Sequence, residues 1–119
     1  MANTFKVITK SDVSNNSVSP TSVYTVQTGV DATVILGILA ANKLATSAKV
    51  TLLIDSSTSN AGGGTNSNIT LAKDVSIPPG SSLEYMSGQK YVMQVGDVLK
   101  TYSDTSSAID ISFNFMEIT

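Results

Sequence analysis

The chain has 119 residues, a net charge of −2 and a charged fraction of 13%, about half the usual share of a globular protein. It contains no cysteine and no histidine, which excludes thiolate nucleophiles, Cys/His zinc sites and the Ser-His-Asp triad. All seven basic residues are lysines, so the chain lacks the arginine forks and the basic surface with which proteins bind nucleic acids. We therefore expect one domain over residues 1–119 that is not an enzyme, needs no cofactor or metal ion, and binds no nucleic acid.

The sequence also argues against a secreted or membrane-bound protein. The first twelve residues lack the basic-then-apolar pattern of a secretory signal. The longest largely apolar run, residues 32–41, is too short to cross a membrane. A chain without disulfides suits a reducing compartment, at least during synthesis. These features predict a protein that is made in a cytoplasm and has no membrane partner.

Alternation of apolar and polar residues with a period of two predicts β-strands along the whole chain. Turn residues separate these segments at close spacing, which is typical of a sandwich or barrel. We therefore predict an all-β fold, an antiparallel, jelly-roll-like β-sandwich of eight or nine short strands. The candidate strands are residues 4–10, 22–28, 32–39, 49–55, 68–77, 82–86, 91–95, 97–102 and 108–119.

Three of these strands indicate which face they bury. In residues 49–55, the apolar side chains occupy alternate positions and share one face. In residues 68–77, the odd positions are apolar apart from Lys73. The last strand alternates in the same way, with Asp110 and Asn114 on its polar face. The residues predicted to face the core are Val50, Leu52, Ile54, Ile109, Ile111, Phe113 and Phe115.

One segment is compatible with two structures. Residues 40–45 have a composition that would also form about one turn of helix. The preceding Thr33, Val34 and Ile35 are β-branched, and Gly37 would weaken a helix. These residues favour a buried strand over residues 32–39.

Glycine and proline define the turns of the second half. Residues 78–80, Pro-Pro-Gly, fix two φ angles and then supply a residue that can take positive φ, which should end the strand at Ile77. Two shorter turns of this kind lie at residues 87–89 and 95–97. Residues 83–102 are therefore predicted to form a meander.

Residues 56–67 form the longest irregular segment, rich in Gly, Ser, Thr and Asn. Such a loop is either flexible or ordered by a neighbour. Its three consecutive glycines could suggest a phosphate cradle, but no Gly-Lys-Ser/Thr sequence follows them. A hairpin tip or contact loop is favoured. The candidate contact residues are Asn60, Gly62, Gly63 and Gly64.

The acidic residues suggest two further sites, and both are disfavoured. Five aspartates could supply oxygen ligands for calcium, but without the dense spacing of a calcium loop they are predicted to be solvated carboxylates or turn caps. Glu84, Asp97 and Glu117 could provide a carboxylate pair for glycoside hydrolysis, but the chain lacks the Trp and Arg that normally accompany such a pair. The glycosylation triplets at Asn15 and Asn68 are expected to be incidental. The five aspartates are Asp55, Asp74, Asp97, Asp104 and Asp110.

The chain has four tyrosines. They could stack on a carbohydrate, but aromatic residues in strands are more often core-edge or interface residues. We therefore take them as candidate interface residues: Tyr24, Tyr85, Tyr91 and Tyr102.

The second half of the chain combines Ile77-Pro-Pro-Gly-Ser-Ser-Leu83, a turn at residues 88–90, strands at 91–95 and 96–102, and an apolar strand at 108–118. This pattern resembles small virion structural proteins of tailed bacteriophages. Residues 23–29 and 31–37 also resemble the first hairpin of these proteins. The resemblance implies a β-sandwich that binds other virion proteins, and it implies no particular functional residue.

We therefore expect a structural component of a tailed-phage virion, an accessory or decoration protein on the capsid or tail that is assembled in the cytoplasm of the host bacterium. Its expected partners are other virion structural proteins and further copies of itself in a homo-oligomer, because edge strands need partners. The alternative is a carbohydrate or cell-surface binding module, which also needs no catalytic residue. The four tyrosines motivate this alternative, and the absence of tryptophan counts against it.

Overall fold

The computed structural model describes residues 2–86 and 90–119. The turn predicted at residues 87–89 lies outside these ranges. Within them, the chain forms nine strands and no helix, which confirms the all-β prediction, and so no helix there could span a membrane. The strands are β1 (Asn3–Lys10), β2 (Thr21–Thr25), β3 (Ala32–Asn42), β4 (Ala48–Asp55), β5 (Ile69–Ile77), β6 (Ser82–Tyr85), β7 (Tyr91–Met93), β8 (Val98–Ser103) and β9 (Ile109–Ile118).

The strands form two antiparallel sheets that pack face to face as a sandwich. Sheet A has the order β1-β9-β3-β6, and β7 pairs with β3 beside β6. Sheet B has the order β2-β8-β4-β5. This is the strand order of a jelly roll, in which most connections cross from one sheet to the other. The predicted sandwich is therefore confirmed, including its jelly-roll character.

The two longest strands, β3 and β9, form the centre of sheet A. Their register runs from Ala32 opposite Ile118 to Asn42 opposite Ile109. β9 pairs on its other side with β1 along the whole of that strand. In sheet A, β9 thus lies between β1 and β3.

The core lies between the sheets, and the buried faces predicted for β4 and β9 are confirmed. All seven residues predicted on these faces are buried. Phe113 and Phe115 stack with their ring centroids 4.7 Å apart. The ring of Tyr24, which comes from β2 in the opposite sheet, lies 4.5 Å from Phe115. These three rings connect the two sheets at one end of the core.

Two predicted supersecondary units are wrong. Residues 83–102 do not form a meander, because β6 and β7 both pair with β3 whereas β8 lies between β2 and β4 in the other sheet. The turn before β8 directs the chain across the sandwich: Gly96 has φ 98° and the Asp97 N–H donates to the Gln94 carbonyl at 3.0 Å. β2 and β3 do not form a hairpin either, since they belong to different sheets.

β3 continues to Asn42 as a strand, so the alternative helical turn at residues 40–45 does not form. The Asn42 side chain explains this end point. Its amide Nδ2 donates to the carbonyls of Thr46 at 2.8 Å and Ile77 at 3.0 Å, and its Oδ1 accepts from the Leu44 N–H at 3.0 Å. One buried amide thereby fixes the turn after β3 and the end of β5.

β5 ends at Ile77 as predicted, and the Pro-Pro-Gly turn has Gly80 at φ 65°. The predicted alternation along this strand is only partly realised, because the register with β4 shifts twice. Asp74, at φ 49°, donates its N–H to the Thr51 hydroxyl at 3.0 Å. These irregularities leave Ile77 buried but Ile69 exposed.

Candidate interaction surface

The outer face of sheet A carries a row of apolar side chains that crosses four strands. Antiparallel partners lie on the same face of a sheet. Phe5 lies opposite Met116, which lies opposite Val34 on its other side. Val34 in turn lies opposite Val92. We name these four residues the apolar row; Phe5 is 72% and Val92 is 58% exposed, so solvent reaches both ends of it.

Further apolar residues extend the row along the strands. Val7 on β1 is 59% exposed, Leu36 projects at the bulge of β3, and Ile118 is half-buried near the end of β9. The other outer-face positions of this half of the sheet are small or polar without charge. Among the described residues, the outer-face strand positions of this half therefore carry no charged side chain, and the carboxylate of Glu84 lies at its border near Gly37.

The other half of the same face is polar. Thr9, Ser112 and Leu39 lie in one cross-strand row with Glu84 at its end. A shallow depression of about 410 Å³ lies beside these residues. Asp110 borders it and is bound by Lys43, with Nζ and Oδ1 2.9 Å apart.

The outer face of sheet B differs in charge. Lys100 Nζ lies 2.6 Å from Asp55 Oδ2 across β8 and β4. Lys73 Nζ lies 3.7 Å from Asp74 Oδ2 and donates to the hydroxyl of Tyr102 at 3.3 Å. The outer face of sheet B thus carries ion pairs, whereas the outer-face strand positions in the apolar half of sheet A carry no charge. The outer face of sheet A is the candidate interaction surface.

A buried polar network holds β1 and β9 in place behind the apolar row. Lys6 Nζ donates to Glu117 Oε1 at 2.6 Å, and the Tyr24 hydroxyl donates to Glu117 Oε2 at 2.6 Å. The Thr33 hydroxyl lies 2.7 Å from the Tyr24 oxygen and donates to it, since the tyrosine proton is directed at the carboxylate. Because Tyr24 belongs to sheet B, the network joins the two sheets.

The network shifts the acidity of its members. The hydrogen bonds from Lys6 and Tyr24 lower the pKa of Glu117 although burial opposes the shift. Glu117 is 7% exposed, so its charge depends on these two donors. Burial, together with the hydrogen bond to Glu117, raises the pKa of Tyr24 to about 12.

Tyr24 is a core residue and not an interface residue, contrary to the prediction. It is 8% exposed and packs against the rings of Phe113 and Phe115. The sequence showed an aromatic residue in a short strand, but it did not show that a carboxylate on β9 would bind its hydroxyl.

The other three candidate tyrosines lie apart. Tyr85 and Tyr91 are partly buried on the core-facing side of β6 and β7, opposite Ile38 and Ile35. Burial raises the pKa of Tyr85 to about 12. Tyr102 lies on the outer face of sheet B, opposite Thr51 on β4. The four tyrosines therefore do not form one stacking platform.

The candidate contact loop is ordered by bonds within the chain. Asn60 Oδ1 accepts from the N–H groups of Gly62 at 2.8 Å and Gly64 at 3.0 Å. The base of the loop is held by Asp97, whose Oδ1 accepts from the Ser56 hydroxyl at 2.6 Å. Because the Asn60 side chain binds these two amides, they cannot form a phosphate cradle. The three glycines, 62–64, remain exposed at the tip.

The acidic residues considered above lie in separate surroundings. Glu84 is on the outer face of sheet A, Glu117 is in the network and Asp97 is buried at the loop base. Hydrogen bonds lower the pKa of Asp104, which accepts a backbone N–H, and of Asp110, which binds a lysine. In the described ranges, no three acidic residues are grouped as metal ligands would be.

None of the four residues of the apolar row was predicted to be an interface residue. A signal was present in β9, where Met116 and Ile118 are apolar on the face opposite Phe113 and Phe115. A strand that is apolar on both faces is typical of burial on both sides. That pattern could have indicated an apolar outer face at the end of β9.

Comparison with known proteins supports the fold. No protein-family model matches the chain, and no curated protein matches it in sequence. Among solved structures, a chain of the IBDV viral particle has a TM-score of 0.51 and 10% identity over 98% of this chain and 31% of that chain. The present chain thus spans less than a third of that viral chain.

Two further structures are similar over most of this chain. A protein of the Bacillus endospore appendages, described as disulfide-linked pili, has a TM-score of 0.43 and 11% identity over 98% of this chain and 89% of that chain. The Clostridium thermocellum endo-1,4-β-D-xylanase 10B, as its CBM22-1 and GH10 modules with xylohexaose, has a TM-score of 0.47 and 10% identity over 95% and 26% of the two chains. At such identities the similarity concerns the fold alone.

Proposed function

We propose that the chain is a structural subunit of a virus particle, an accessory or decoration protein of a tailed-bacteriophage virion, and that it docks through the outer face of sheet A. The observation that carries the proposal is the apolar row, together with the small or uncharged residues at the neighbouring outer-face positions. Monomeric soluble proteins rarely expose contiguous apolar patches of more than a few hundred Å², and larger exposed patches mark interaction sites.

Three further features support this role over an enzymatic one. The jelly-roll sandwich is a fold that many viral capsid proteins use, and a chain of a viral particle shares it. The sequence resembles small tailed-phage structural proteins. The chain also lacks the histidine and cysteine on which most acid-base and nucleophilic catalysis depends. The partners in this proposal are other virion structural proteins, and the location is the virion.

Mass spectrometry of purified particles tests the proposal. We expect the chain in many copies per particle, at an amount comparable with other structural proteins. Its absence from intact particles would refute the proposal. Saturable binding to a defined glycan on an array, combined with that absence, would instead favour the carbohydrate-binding alternative.

A matched pair of variants tests the docking face. Val92→Lys places a charge at one end of the apolar row, where the side chain is 58% exposed and little packing is lost. Thr70→Lys places the same charge on exposed β5 of the other sheet. We expect both variants to fold, but only Val92→Lys to lose incorporation into particles. Equal incorporation of the two would exclude the outer face of sheet A as the docking surface.

A further inference from the structure

The sandwich has strands at its edges that differ in how they resist pairing. Natural proteins protect edge strands by short length, by bulges, by proline or by charged side chains such as lysine. β6 and β7 have four and three residues. β2 has five residues with a register shift, and β5 shifts register twice. Each of these edges is therefore a poor template for another strand.

β1 is neither short nor bulged in the described part of the chain, and its charged residues are Lys6, which is bonded to Glu117, and Lys10. It has eight residues in unbroken register with β9, and it contains no proline. Seven of its eight residues are exposed. Phe5 and Val7 project from its outer side with 72% and 59% exposure. A regular, exposed and partly apolar edge of this kind favours the addition of a further strand.

From this edge we infer that β1 pairs antiparallel with β1 of a second copy of the chain, with Val7 opposite Val7 on the two-fold axis. Antiparallel partners share a face of the sheet. An axis between two residues would place outer side chains opposite inner ones, so the axis must pass through a residue position. This condition leaves a few registers to compare.

Charge and length select one of these registers. Like charges directly opposite each other destabilise a sheet. An axis at Lys6 would bring two ammonium groups together. An axis at Ile8 would place Lys6 opposite Lys10. An axis at Phe5 pairs residues 3–7 alone. An axis at Val7 pairs residues 4–10 and places Lys6 opposite Ile8. Each Lys6 also keeps its own Glu117 at 2.6 Å, and Lys10 lies opposite Thr4, so no two lysines face each other.

The outer faces of the two copies then become continuous. Phe5 of one copy lies opposite Thr9 of the other and diagonal to its Val7, within reach of an aromatic side chain. The apolar row thus extends across the axis into the second copy. This continuity, with the separation of the lysines, favours a second copy over an unrelated strand.

The area of this contact indicates its strength. The paired edge is about 23 Å long and about 10 Å deep, which gives a contact area of about 230 Å² per copy. This area is well below the roughly 800 Å² per partner of a standard interface. The dimer of the isolated protein is therefore expected to be weak and concentration dependent. A surface that holds many copies would supply the concentration.

Disulfide cross-linking tests the register, and the chain has no cysteine of its own to interfere. Val7→Cys places two thiols opposite each other, where strand partners have Cα atoms about 4.5–5.5 Å apart, within the range of a disulfide. In Phe5→Cys, the thiols are offset by four residues, about 13 Å along the strands. At high protein concentration, oxidation should convert Val7→Cys to dimer and leave Phe5→Cys monomeric, whereas the double variant Phe5→Cys/Thr9→Cys should cross-link again.

The outcomes separate this inference from the proposed function on which it builds. No dimer from Val7→Cys, or equal dimer from Phe5→Cys, in protein whose thermal melt matches the parent, overturns the pairing. Val7→Lys should abolish self-association of the parent in sedimentation, because it places two charges on the axis; unchanged association also overturns it. These measurements use purified protein, so their failure leaves detection in particles unaffected, and absence from particles leaves the cross-linking result unaffected.

Discussion

Removal of the Tyr24 hydroxyl should destabilise the sandwich through the buried network. In Tyr24→Phe the ring remains against Phe113 and Phe115, so no large cavity forms. The variant loses the 2.6 Å hydrogen bond to Glu117 and the 2.7 Å contact with the Thr33 hydroxyl. A hydrogen bond to a charged group contributes about 1.5–3 kcal/mol, so we expect the free energy of unfolding at pH 7 to fall by about that amount.

The assay is chemical denaturation followed by circular dichroism, with a thermal melt as a second readout. For a chain of this size the loss corresponds to a decrease in Tm of roughly 6–12 °C. Tyr102→Phe is the matched control, because its hydroxyl accepts from Lys73 on the outer surface. Such a surface change should alter stability by about 0.5 kcal/mol or less.

The pH dependence identifies the charged partner. The pKa of Glu117 is lowered by Lys6 and Tyr24 from 4.5, so the folded state binds fewer protons there than the unfolded state, and its charged interactions are lost as the pH falls below about 4.5. The difference between parent and Tyr24→Phe should therefore narrow in acid, toward the roughly 0.5–1.5 kcal/mol of a neutral hydrogen bond. A difference that is absent at pH 7, or that matches Tyr102→Phe, would refute the role of the network.

Three other predictions concern the core, a turn and acid stability. Phe113→Ala should cost about 3–5 kcal/mol, whereas Asn114→Ala on the exposed face should change the unfolding free energy of the isolated protein by about 0.5 kcal/mol or less; the reverse order in thermal melts would invert the register of β9. Asn42→Ala should cost about 1–3 kcal/mol, because buried backbone groups lose their partner, and a parental denaturation midpoint would contradict this. Stability should decrease as the pH falls below about 4.5, since the pKa values of Glu117 and Asp110 are lowered in the fold; a flat profile from pH 6 to 3 would disagree.

The fold was predictable because strand faces are encoded locally. Phe113 and Phe115 alternate with polar residues, and this period alone places them in the core. The pairing of strands was not predictable in the same way, because it depends on which sheet each turn leads into. Nothing in the residues around Gly96 distinguishes a turn within one sheet from a crossing to the other. The predicted meander assumed that consecutive strands pair with each other, whereas strand pairing depends on residues that are distant in the sequence.

The candidate interaction surface was harder to predict from the sequence than the fold. The predicted site residues were chosen by type, mainly tyrosine and glycine, but the structure places them apart and gives several of them roles within the fold. Tyr24 is buried, and Asn60 binds the glycine amides of its own loop. The apolar row is composed of residues from four strands that are distant in sequence, so it exists only after the register is known. Its members are ordinary when each is considered alone in the sequence.

The position of β9 between β1 and β3 has a consequence for synthesis. Among the described strands, β1 pairs only with β9 in sheet A, so the first strand has no partner until the last one has left the ribosome. At 5–20 residues per second this delay is on the order of 5–20 s. Contacts between such distant segments also make folding slow, in the range of milliseconds to seconds for β-sandwiches. During this interval Phe5 and Val7 are carried on an unpaired strand, and a nascent chain that stops before β9 leaves both β1 and the long β3 without their central partner.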